Sequence, residues 1–299
     1  MTAKYSTCEL CCKEKDLRES HIIPKFVFDW QKESSGTGFL RSSRVPNRRV
    51  QDGAKEYMLC SDCETLFNQW ETSFATNIFH PLNRRENIQF EYRSWLLKFA
   101  VSVSWRCLTW YRPDTLPGIS ALGKDLIAKA LHTWREFLLN QCPHPGSFEQ
   151  HMILFDKPIS IQNIEALPSN WTRFMIRGCH INLAHCDGHP LYIYIKMNRV
   201  TLLGFIGINC PQQWVGTKIH VRSGVIGGSI KVPVQFLDYM KERANVELQI
   251  QSKISKKQDE VIGRTYKKNK ANALTSETFQ ALDHDVRLFG INAVFNKKD

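Results

Sequence analysis

Residues 57–72 read Tyr-Met-Leu-Cys-Ser-Asp-Cys-Glu-Thr-Leu-Phe-Asn-Gln-Trp-Glu-Thr. Cys60 and Cys63 stand two residues apart on a turn-like stretch, and the pattern that follows predicts a helix from about Ser61 to Thr76. Near the N-terminus, Cys8-Glu-Leu-Cys11 repeats the same spacing. One such pair is weak evidence, but two in the first 93 residues can each chelate one side of a tetrahedral ion. Cys8, Cys11, Cys60 and Cys63 are therefore the expected holders of a structural zinc ion whose binding is coupled to folding. Cys12, next to Cys11, is expected to point away from the ion. The isolated Cys107, Cys142 and Cys210 read as small buried hydrophobes.

The surrounding composition is that of a globular protein. Of 299 residues, 42% are hydrophobic and 23% charged, with 12 Pro and 16 Gly, which excludes collagen-like, disordered and low-complexity chains. No apolar run reaches the roughly 18 residues of a membrane span. The longest candidate, from Trp95 to Tyr111, is interrupted by Lys98 and Arg106 and reads as a core helix. The N-terminus carries cysteines and charges where an export signal needs an apolar core. A soluble, cytoplasmic protein with its ten cysteines reduced is the expectation.

Forty basic residues face 29 acidic ones. Residues 1–93 carry 14 basic against 13 acidic side chains, residues 94–240 carry 14 against 8, and residues 241–299 carry 12 against 8. Attraction to a polyanion would thus come mainly from the C-terminal two-thirds. Lys253 to Lys270 holds seven basic residues against Asp259 and Glu260, a run that reads first as a solvated helix face and second as a polyanion contact.

The expected fold class is α+β: a small ββα-type zinc module at 1–90, then a helical and antiparallel-sheet domain at 91–299. Within the latter, 92–140 is helical, with Trp95, Phe99, Val103 and Arg106 at helical spacing. Strand texture occupies 172–232 (LYIYIKM, VTLLGFIGI, TKIHV and SIKV), with turns at Asp187-Gly188 and Asn198. Helices fill 233–290, the first running from near Pro233 into the basic stretch, the last starting at Ser276 and ending before Gly290.

Between the knuckles lies Glu19-Ser20-His21-Ile22-Ile23-Pro24. This segment, flanked by the two Cys pairs, resembles the His-Asn-His (HNH) endonuclease superfamily, a treble-clef zinc module, over about residues 5–80. The resemblance implies metal-dependent hydrolysis of DNA phosphodiester bonds, possible use in defence or DNA processing, and a hairpin and helix wrapped around a divalent ion. His21 would be the general base. Glu64, with Asn68 one turn later, would hold magnesium or manganese, and Glu71 shares that helix face. Three positions depart from the family pattern. Ser20 stands where an acidic ligand is usual, Glu64 where a histidine is usual, and no Asn stands near Lys55 or Glu56. Asn47 and Gln51 are the nearby amides that could orient His21. A zinc-knuckle module without catalysis, binding nucleic acid or a protein partner, is the alternative.

Five further features are open. Arg41, Arg44, Arg48, Arg49 and Lys55 could clamp phosphates or be solvated loop residues. His80 reads as a capping or packing residue. Cys179, His180, His185, Cys186 and His189 cluster in sequence, but strand alternation sends neighbours to opposite faces. Most aromatic rings fall at core spacing. Tyr192 and Tyr194 beside Lys196 are the one candidate platform for stacking bases.

Overall fold

A computed structural model describes residues 4–41, 45–112, 117–155, 166–207 and 211–295. It has the expected α+β composition, helices with antiparallel sheets. Two compact units are each assembled from separated stretches: Met1–Pro24, Ala54–Asp156 and Cys179–Lys231 form one, and Lys25–Gly53, Lys157–Gly178 and Val232–Asp299 the other.

In the first unit the strands Lys4–Thr7 and Glu14–His21 form a hairpin, and the second of them also pairs antiparallel with Lys55–Cys60, from Leu17↔Cys60 to His21↔Lys55. The helix Ser61–Phe74 leaves this last strand directly and buries Cys63, Phe67 and Phe74. The expected helix is thus present at its expected start. The helix Trp95–Tyr111 lies in the core, its Phe99 ring stacked 4.0 Å from Phe74. Its two cations explain themselves. The Lys98 ammonium donates to the Phe137 carbonyl, and Arg106, 1% exposed, pairs with Glu71 at 2.6 Å. Among the described residues no helix is long and apolar enough to cross a membrane.

A four-stranded antiparallel sheet, in spatial order Gln150–Leu154, Val200–Phe205, His189–Met197, Cys179–Cys186, completes this unit's core. Asp187 and Gly188 turn with φ of 48° and 77°, the left-handed pair that a tight hairpin requires. Asn198 (φ 55°) makes the next turn. Strand texture was expected from 172, yet Trp171–Arg177 is a helix of the second unit. The cause is distant in sequence: the Asp285 carboxylate accepts the backbone N–H of Thr172 at 2.7 Å and of Arg173 at 3.3 Å, capping that helix. TKIHV and SIKV contribute only the isolated bridges His151↔Lys218 and Val215↔Lys231.

The second unit is mainly helical. The expected long helix from Pro233 ends at Gln251, and a new one, Lys256–Lys268, starts after Ser255, whose hydroxyl accepts from Gln258 N. The break lies at Ser252 to Ser255: the Ser252 hydroxyl donates back to Gln249 O at 2.8 Å, and the Ser255 hydroxyl accepts from Gln258 N, which caps a new helix. The last long helix, Glu277–Phe289, is capped by Ser276 and followed by Gly290 at φ 82°, as expected. Arg177 ties this unit together by donating to Ser34 Oγ, Glu277 Oε2 and the Gln31 carbonyl at 2.8, 3.0 and 2.9 Å.

One buried histidine in the first unit makes stability depend on pH. His151 is 1% exposed, with Nδ1 on Thr217 Oγ1 (2.8 Å) and Nε2 on Glu149 (3.3 Å), ringed by Phe205 and Trp214. Burial pushes its pKa down to about 4, against the pull of Glu149 and with the repulsion of Lys218 and His220. The unfolded chain takes up this proton near pH 6.5, which the folded ring refuses until about 4. Stability is therefore unaffected above pH 6.5 and falls as pH drops toward 4. Between pH 7 and pH 5 the loss attributable to this ring is about 2 kcal/mol. Urea melts of His151→Gln at both pH values should show a correspondingly smaller difference; an unchanged difference would refute the assignment.

Candidate metal centre

The hairpin between Thr7 and Glu14 is closed by Cys8 N donating to Lys13 O (3.0 Å) and Cys12 N to Cys8 O (2.8 Å). Cys12 takes φ 56°, a left-handed conformation that lets the loop turn back on itself. Glu9 N donates to Met58 O at 2.9 Å, and Cys60 N to Cys8 Sγ at 3.3 Å, so this turn is docked on the strand that ends in the second pair. As a result the four ligand atoms of Cys8, Cys11, Cys60 and Cys63 all lie within 4.8 Å of one another, Cys11 Sγ to Cys60 Sγ being 3.9 Å. Sulfurs bound tetrahedrally at ~2.3 Å stand roughly 3.8 Å apart. The four cysteines can hold a metal ion such as zinc.

Electrostatics favour a cation there. A hydrogen bond from the Cys63 thiol, opposed by burial and helped by backbone N–H groups of Cys11, Cys60 and Leu10, brings the Cys8 pKa down to about 4. The same bond drives Cys63 up, and burial raises Cys11. Sulfurs so close cannot all ionise unless a positive charge sits between them. Cys12 is turned away as expected, accepting from Arg135 Nη1 at 2.6 Å. The Lys15–Asp62 pair (2.6 Å) links the hairpin to the helix start, with the Asp62 side chain largely exposed.

The other site residues are less concentrated. His21 ends its strand opposite Lys55 and is half-buried. Glu64 lies in the first turn of the helix, and its Oε1 is buried without a hydrogen-bond partner. Asn68 is exposed one turn later. Glu71 does not share the role its spacing gave it, because it is the counter-ion of buried Arg106. Ser20 is 1% exposed, its hydroxyl donating to Arg18 O. Among the described residues the four cysteines are the one group of three or more His, Cys, Asp or Glu side chains close enough to hold an ion. Cys179, His180, His185, Cys186 and His189 form no such group; His180 instead stacks on Tyr194 at 5.3 Å.

Several expectations are corrected. Asn47 cannot spare its amide for His21, since Oδ1 accepts from Ser255 N (2.8 Å) and Nδ2 donates to Lys253 O (3.2 Å). Tyr192, Tyr194 and Lys196 are 6%, 0% and 0% exposed, so they are core residues and offer no stacking platform. Lys55 pairs with Glu19 at 3.8 Å; His80 packs edge-on against Phe79, as expected. Cys107 is fully buried, but Cys142 is only half-buried. Arg44 and Cys210 lie outside the described residues. The sequence reading missed the Arg106–Glu71 and Arg135–Cys12 pairs; the first had a signal, a lone arginine in an apolar helix.

No family model matches the chain, nor does any curated protein or solved structure.

Proposed function

We propose that this chain is a metal-dependent endonuclease of HNH type that hydrolyses DNA phosphodiester bonds in the cytoplasm. The observation that carries the reading is the orphaned Glu64 Oε1, beside Cys63 at the start of a helix anchored by four clustered thiols. A buried carboxylate oxygen with no donor is costly in isolation and suits a hard divalent ion. Magnesium or manganese, when bound, supplies positive charge to the scissile phosphate. Glu64 would hold that ion, with Asn68 one turn later assisting. His21 accepts the proton of the attacking water. The thiol tetrad, with zinc, fixes the helix on the strand that carries His21. Reduced cysteines suit the cytoplasm; nine are free among the described residues.

A second reading, a non-catalytic zinc-knuckle module, is favoured by the burial of Ser20 and the engagement of Glu71 by Arg106, which leave few oxygen ligands. Plasmid DNA with magnesium or manganese separates the two. Native protein should nick it, and His21→Ala should be slower by about 10²–10⁴-fold. Equal residual cleavage by both proteins would remove the enzyme and leave the binding module.

A further inference from the structure

The second unit holds most of the charge excess, with 21 basic against 13 acidic residues where the first holds 19 against 16. Within it, the helix Lys256–Lys268 has no buried residue. Gln258, Val261, Ile262, Thr265 and Tyr266 are half-buried and recur at three- and four-residue spacing, so they form its inner face. Tyr266 packs so closely that a Cβ on Gly36 would collide with its ring. The outer face presents Lys257, Arg264 and Lys268, spaced seven and four apart, with Lys256 and Lys267 alongside, all exposed.

Other cations are fastened to the start of this helix. Through Asn47, the 45–50 segment is bonded to Lys253 O and Ser255 N. With its amide turned to satisfy both ends, Gln258 accepts from Arg41 Nη1 and Nη2 at 3.2 and 3.0 Å. Arg41 stands directly across a two-residue ladder from Arg49, an arrangement of like charges that destabilises the free protein. Arg49 lies over the Phe39 ring at 4.1 Å. Among the described residues none of Arg41, Arg48, Arg49, Lys253, Lys256, Lys257, Arg264, Lys267, Lys268 or Lys270 pairs with a carboxylate, although Asp259 and Glu260 are on the same helix.

We infer that this face, built from the outer side of Lys256–Lys268 with the exposed Arg48 and Arg49, is the surface that holds DNA backbone phosphates, an inference that rests on the nuclease reading above. Its repulsion is relieved by a polyanion, and arginine forks match phosphate oxygens. An anionic bilayer is the poorer fit. A helix lying in a membrane surface needs an apolar face turned to the lipid, and here the apolar residues are turned inward.

The test is binding of a short labelled DNA duplex by the full chain, without added divalent ion, from about 50 to 200 mM salt. Lys257→Gln/Arg264→Gln/Lys268→Gln should weaken binding at least tenfold and flatten the log–log salt slope by about 2.7, from ~0.9 per phosphate contact. Lys4→Gln/Arg222→Gln/Lys231→Gln, an equal loss of charge from exposed positions of the first unit, should change neither by half as much. His21→Ala should bind like the native chain, which separates this surface from the catalytic reading. Equal effects of the two triple variants would overturn the assignment while leaving cleavage intact. Tighter retention on phosphatidylserine vesicles than on DNA would also overturn it. Salt-insensitive or absent DNA binding by the native chain would overturn it together with the nuclease.

Discussion

Cys60→Ser should strip the metal from the protein and unfold the part of the first unit that the knuckles join. The hairpin turn at Cys8–Cys11 and the strand–helix junction at Cys60–Cys63 are about fifty residues apart in sequence, and the sulfurs are brought within 4.8 Å. Ion binding at such a junction is coupled to folding. In isolated zinc-finger peptides that binding contributes about 10–16 kcal/mol. Losing one thiolate of four should cost this protein on the order of 5 kcal/mol or more. The readouts are metal per chain and a thermal melt, with the same melt repeated on native protein treated with a strong chelator. Cys12→Ser is the control. That residue is exposed and bonded to Arg135, so its loss should leave metal content and the melting temperature nearly unchanged. Full metal retention by Cys60→Ser, or equal loss by both variants, would contradict the assignment.

The second large effect lies in the other unit. Asp285 is 0% exposed and serves three donors: Thr172 N, Arg173 N and Arg173 Nε, the last at 2.8 Å. Removing it leaves a partly buried guanidinium and two helix N–H groups without their acceptor. Breaking one side of a buried pair costs about 3–5 kcal/mol, so Asp285→Ala should lower the stability of the second unit by that order. Asp285→Asn keeps an oxygen for Thr172 N and should lose distinctly less. Urea unfolding followed by amide exchange in Trp171–Arg177 measures both; a cost below about 1 kcal/mol for the alanine would show that the capping is incidental.

These two sites mark what the sequence could and could not disclose. The cysteine tetrad was legible because a metal knuckle is local: two residues of spacing and a turn are enough to read it. The turn at Asp187-Gly188 and the cap and stop at Ser276 and Gly290 were legible for the same reason, each being fixed by residues within a few positions. Trp171–Arg177 was not, since the carboxylate that caps it is more than a hundred residues away. Nor was the fate of Glu71, which spacing put on a candidate ligand face and Arg106 took as a counter-ion. Tyr192, Tyr194 and Lys196 misled because alternation says which residues share a face, not whether that face meets water. The mixed helix and antiparallel-sheet class followed from texture alone, but the break between the helices Val234–Gln251 and Lys256–Lys268 depended on serines whose pattern is common inside polar helices too.

Zinc K-edge X-ray absorption of the purified chain bears most directly on the central claim. One zinc per chain with four sulfur scatterers at ~2.3 Å is the expected spectrum. A first shell of nitrogen or oxygen, or protein free of zinc that melts unchanged after chelation, would contradict it.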